Sequence, residues 1–150
     1  MKDGTQQSVT LVVRQTVQAP PREVYAAWTE PAHLKEWWGP EGVACIGAEM
    51  DLRVGGAYRI GNRFPDGKVI WLAGSFEAIE PPRLLMYTWG VEPAPATERV
   101  TVRFEARGNG TEVIVTHERI ASPALRDMHR QGWEGCLVGL ADYLSGSRAS

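Results

Sequence analysis

Cysteine is scarce in this chain: Cys45 and Cys136 are the only two, and they form no C-x-x-C pair. Both are expected to be free, buried thiols, because a disulfide framework suits short secreted chains rather than this one. Histidine is also scarce. His33, His117 and His129 lie far apart, with no H-x-x-x-H spacing, so neither a metal site nor a cofactor is expected. No apolar run approaches the roughly 20 residues of a membrane span. The opening MKDGTQQSVT lacks the apolar centre of a secretory signal. These absences lead to the expectation of a cytoplasmic protein that does not engage membranes. There is no basic excess either. The net charge is -2 and the sequence pI about 5.9, which makes nucleic acid an unexpected partner. No G-x-S-x-G is present to mark a nucleophilic serine, and no phosphate-loop lysine follows the glycine pair at 55–56.

What is present fits one globular domain. A chain of 150 residues with 43% hydrophobic and 23% charged residues has enough apolar surface for a full core. The expected domain is 1–150, with 1–7 and 147–150 as flexible tails. Tryptophan is plentiful, at six residues, and so is glycine, at 16. Six tryptophans can pack one core, and they also suit an aromatic-lined pocket.

Alternating Val and Thr from Ser8 to Gln18 predict a first strand. Pro21 and Pro31 each suit the first turn of a helix and end whatever precedes them. Two short helices are therefore expected, 21–29 and 31–37. Six strands follow, over 43–50, 57–63, 68–79, 84–90, 98–106 and 111–119. Pro65-Asp66-Gly67 and Gly108-Asn109-Gly110 mark turns. Ser122 as N-cap and Pro123 as first residue open a long last helix, expected to end near Ser145-Gly146. Strands in a run, bounded by helices, mean α+β with an antiparallel sheet of about seven strands. One long helix must cover the sheet's apolar face, so the sheet should curl around it.

Several segments, in this order, carry a family resemblance. They are A-P-x-x-x-V-Y-A-A-W-T in the first helix region, Trp37-Trp38-Gly39-Pro40, Asp51-Leu52-Arg53-Val54-Gly55-Gly56 with Tyr58, Glu80-Pro81-Pro82-Arg83-Leu84, Tyr87-Thr88-Trp89, Gly110-Thr111-x-Val113 and Gly132-Trp133. Over roughly 8–146 the chain resembles the activator of heat-shock protein 90 ATPase-like family. That family lies within the START-like (SRPBCC) superfamily of polyketide cyclases and birch-pollen-allergen-like proteins. The resemblance implies a helix-grip fold: a curved sheet around the C-terminal helix, with a cavity between them.

The expected ligand is a small hydrophobic or aromatic molecule held in that cavity. Its expected lining is Trp28, Trp38, Tyr58, Trp71, Tyr87, Trp89, His117, Met128, Trp133 and Leu137. Adjacent Trp37 and Trp38 point about 100° apart on a helix, so one should enter the core and the other the cavity rim. His117 shares the face of Val113 and Val115 and would be the cavity's polar contact. His33 and His129 are expected at the surface. Asp51 and Arg53 should pair across the glycine bend. Gly132, Gly135 and Gly139 mark either close approach to the last helix or space kept beside it. Two alternatives stay open. A cyclase- or hydratase-like enzyme would use His117 with Arg53 or Tyr87. A co-chaperone would act by surface contacts, although 150 residues leave no room for the additional amino-terminal domain of the eukaryotic activator. A homodimer through a sheet edge or the helix pair is a further expectation.

Overall fold

A computed structural model describes residues 9–39 and 42–149, with side chains up to residue 145. The expected tail at 1–7, Pro40 of the tryptophan motif, and the final Ser150 lie outside the described residues. The elements run β1 (Val9–Val17), α1 (Pro21–Thr29), α2 (Pro31–Trp37), β2 (Ala44–Met50), β3 (Ala57–Arg63), β4 (Val69–Glu80), β5 (Leu84–Val91), β6 (Glu98–Arg107), β7 (Gly110–Ile120) and α3 (Pro123–Ala149). The sheet order is β1-β7-β6-β5-β4-β3-β2, antiparallel at every pairing. This is the START-like helix-grip arrangement. The meander places neighbours in sequence side by side, and β1 closes against β7.

The alternation read from the sequence sets the two faces. Val100, Val102 and Phe104 of β6 are buried, as are Val113, Val115 and His117 of β7. Leu11, Val13 and Val17 do the same on β1, while Val12 faces outward and is 43% exposed. Ile114 breaks the polar face as the sequence shows. It pairs with Arg14 on one side and Arg103 on the other, whose aliphatic stems can shelter it.

The helix starts also follow local chemistry. Pro21 and Pro31 occupy first turns. Ser122 accepts the Leu125 N–H on its hydroxyl at 3.1 Å, capping α3 as expected. Helix α3 then runs to Ala149, past the expected stop at Ser145-Gly146. Leu137 and Leu140 are fully buried, with Trp133, Cys136 and Leu144 nearly so. No helix among the described residues is long and apolar enough to cross a membrane.

Candidate functional site

The interior is dominated by five of the six tryptophans. Trp28 from α1 meets Trp37 and Trp38 of the α2 end at ring-centre distances of 5.0 and 6.3 Å, and stacks on Trp133 of α3 at 5.9 Å and 20°. Trp133 also meets Trp38 at 5.6 Å and Trp89 of β5 at 5.4 Å. Ring pairs at these separations are attractive beyond their area. The indole N–H groups are placed with equal care. That of Trp37 donates to the Ala27 carbonyl at 3.0 Å, and that of Trp38 to Asn62 Oδ1 at 2.9 Å.

This packing corrects three expectations. Trp37 and Trp38 are both core residues, 4% and 5% exposed, so neither forms a rim; a bend at the end of α2 lets both turn inward. Beneath α3 the Trp133 ring packs against those of Trp28, Trp38 and Trp89, and Leu137 is fully buried. Trp71 lies on the outer face. It neighbours Leu72, which points inward, and successive strand side chains alternate. Its ring lies over Gly61, where a Cβ would sit 2.7 Å from the indole, with the Arg59 guanidinium 4.2 Å above it. Met128 is 68% exposed, because the inward stripe of α3 passes through His129, one position later.

A narrow cleft does remain, away from α3. It is lined by Trp28, Met50, Tyr58, Ile60, Phe76, Leu85 and Tyr87, drawn from α1 and β2 to β5. Counted out to its mouth it spans about 210 Å³, but the space open to the centre of a water molecule is about 10 Å³, scarcely room for one water. Tyr58 donates its hydroxyl to the Thr88 carbonyl at 2.6 Å. The Tyr87 hydroxyl is buried and makes no well-formed hydrogen bond; burial pushes its pKa above the ordinary tyrosine range, and a weak hydrogen bond with the Trp28 indole opposes this.

His117 is fully buried as expected, but outside this cleft. Its Nδ1 accepts the Trp133 indole N–H at 3.0 Å, and its Nε2 lies 2.7 Å from Glu98 Oε1. His129 Nε2 lies 3.0 Å from the same oxygen, and the two imidazoles stack at 4.4 Å and 15°. Burial lowers the His117 pKa, with the Glu98 hydrogen bond opposing it. Burial would raise the Glu98 pKa, but hydrogen bonds from both histidines reverse that and hold it well below the usual carboxylate range. His129 is therefore not the plain surface group expected. Arg53 is bonded to Asp51 through Nε at 2.9 Å and, like Tyr87, makes no hydrogen bond to His117, so the acid–base set considered above is not assembled. The structure thus brings Trp28, Tyr58 and Tyr87 to one cleft, brings Trp89, His117 and Trp133 to one polar cluster, and separates Trp71 and Met128 from both.

The sequence reading missed Glu98 and His129, although signals were present. Glu98 stands two residues before Val100, on the same inward parity of β6. His129 stands four residues after Leu125 and four before Trp133, on the buried stripe of α3.

Solved structures share the architecture. A protein from Chromobacterium violaceum is 27% identical with a TM-score of 0.79, covering 90% of this chain and 96% of its own. One from Rhizobium leguminosarum is 25% identical with a TM-score of 0.78, covering 93% and 95%. One from Nitrosomonas europaea, 22% identical, shares the fold with a TM-score of 0.81 over 99% and 100%. No curated protein matches in sequence. The family model described as activator of Hsp90 ATPase homolog 1-like protein matches residues 18–145, and the chain belongs to that family.

Proposed function

We propose that the chain binds a small, single-ring apolar molecule bearing one hydroxyl or carbonyl group, in the cleft between α1 and strands β2 to β5. The observation that carries this reading is Tyr87. A buried hydroxyl without a well-formed hydrogen bond costs up to about 1–3 kcal/mol, and the other hydroxyl of the wall, that of Tyr58, is already committed to Thr88. A ligand with one polar atom would supply a stronger bond. The small cleft, below the roughly 300–1,000 Å³ of drug-sized sites, limits the ligand to one ring. Met50 is half-buried on β2, and its unbranched thioether chain can swing to admit a guest.

Calorimetric titration with p-cresol and toluene tests this. Cresol is expected to bind saturably, and toluene about threefold to tenfold more weakly for want of the hydrogen bond. Tyr87→Phe should remove the difference, and Met50→Trp should block both. Equal affinity of both probes for the wild type, or binding that survives Met50→Trp unchanged, would overturn the reading.

A further inference from the structure

Glu98 of β6, His117 of β7 and His129 of α3 meet at one oxygen. The Nε2 atoms of His117 and His129 lie 2.7 and 3.0 Å from Glu98 Oε1. His117 Nδ1 lies 3.0 Å from the Trp133 indole nitrogen. An indole N–H only donates, so Nδ1 holds a lone pair. Neutral His117 then carries its proton on Nε2, where the ionised Glu98 accepts it. Both nitrogens of a fully buried ring are thus committed. Trp89 of β5 stands edge-to-face with that ring at 5.1 Å. The residues registered against His117 on β1 and β6 are the apolar Leu11 and Val100. Among the described residues, Glu98 and His129 are the titratable groups that face it.

A proton and the Trp133 N–H therefore compete for one lone pair. The added proton can enter His117 only at Nδ1, and the imidazolium donates from both nitrogens. Two donors cannot share a bond, so Trp133 must leave Nδ1 for His117 to become charged. Turning the imidazole over would put a carbon in place of each nitrogen and forfeit Glu98 as well. Trp133 is 3% exposed, and its ring packs on those of Trp28, Trp38 and Trp89. Trp38 has its own anchor in Asn62. Trp28 stacks on Trp133 and makes only a weak hydrogen bond, to Tyr87. Trp28 is also a wall of the cleft.

We propose that His117 Nδ1 is a proton-sensitive latch on the cleft: acid protonates it, Trp133 is released, and the Trp28 wall loosens to admit a guest. The latch stands on the hydrogen bonds alone; the guest rests on the ligand-binding reading above. Burial lowers the His117 pKa, with the Glu98 hydrogen bond opposing it. The latch is therefore closed at neutral pH and opens only below about pH 6.5.

The test follows indole and imidazole nitrogens by NMR, on the unaltered, ligand-free protein, across roughly pH 8 to 5, where histidines change charge. At the upper end His117 should be the Nε2–H tautomer. As Nδ1 gains its proton, the Trp133 and Trp28 indole signals should move on the same curve, while Trp71, on the outer face of the sheet, stays fixed. His129→Gln should keep this transition, because an amide can also donate to Glu98. His117→Gln should abolish it. Any of four results would overturn the proposal: His117 neutral throughout or an Nδ1–H tautomer at neutral pH, a Trp133 signal that stays while Nδ1 titrates, a Trp28 signal that does not follow Trp133, or a transition lost in His129→Gln. p-Cresol should bind about fivefold more tightly below the midpoint than above it, the low end of coupling between two sites. By reciprocity it should raise the His117 midpoint by about 0.7 pH units. Equal affinity on both sides of the transition would overturn the link to the cleft. Absence of cresol binding at any pH would overturn the ligand reading, and the ligand-free spectra would still decide the latch.

Discussion

Tyr87 and His117 are both buried polar side chains, and their hydrogen bonding sets them apart. Tyr87 makes no well-formed one, so Tyr87→Phe should raise unfolding free energy by about 1 kcal/mol, or about 2–4 °C in Tm, by calorimetry without ligand. A site kept unsatisfied for a guest gains stability when the waiting group is removed. His117 is satisfied on both nitrogens and held neutral. Its folded pKa lies below the unfolded value of about 6.5, so below that pH the unfolded chain binds the extra proton. Its contribution is present at neutral pH and is lost as pH falls below about 6.5 towards the folded value. The ionised Glu98, also depressed, loses its contribution only below about pH 4.3. Denaturant unfolding between pH 7.5 and 5.5 should therefore show falling stability, and His117→Gln should flatten that slope; an unchanged slope would assign it elsewhere. Of these residues, His117 was legible from the alternation of β7. The poorly satisfied hydroxyl of Tyr87 was not, because the quality of a hydrogen bond is a property of three-dimensional neighbours.

Helix α3 illustrates how far an element can be read before its partners are known. Its cap and buried stripe follow from spacing, yet assigning that stripe to Met128 in place of His129 was enough to hide the polar cluster. One position is 100° of helix, and the apolar Met is the natural choice by composition. Its glycines allowed two explanations, and at Gly139 the structure shows the first, close approach. At Gly139 a Cβ would sit 2.9 Å from the Trp37 carbonyl, whereas at Gly132 nothing lies within 4 Å. Gly132→Ala is thus expected to stabilise by up to about 1 kcal/mol through helix propensity. Gly139→Ala should destabilise, because the clash is with backbone of α2 and outweighs the same propensity gain. Paired thermal melts of the two variants check this; shifts of the same sign would contradict the close approach of α2 and α3.

At the scale of the molecule, the strand meander and terminal helix made the grip legible, since each follows from local pattern and short connections. The ring-on-ring stacking of the interior was not legible, because tryptophans that line a hole and tryptophans that stack on one another share one sequence pattern. That stacking has a consequence for how the two sites communicate. Trp28 lines the cleft and stacks on Trp133, whose N–H holds His117 against Glu98. A guest in the cleft must displace side chains, since the space open to the centre of a water is only about 10 Å³, and close-packed rings pass that displacement to their neighbours. Indole N–H resonances report each step. Titration with p-cresol should shift the Trp28 and Trp133 signals along one saturation curve. Trp71, on the opposite face beneath Arg59, should stay fixed. If Trp28 moves while Trp133 does not, the two sites are independent and the stacked pair is packing alone. If Trp71 moves with the others, the response is a change of the whole sheet and not a path through the core.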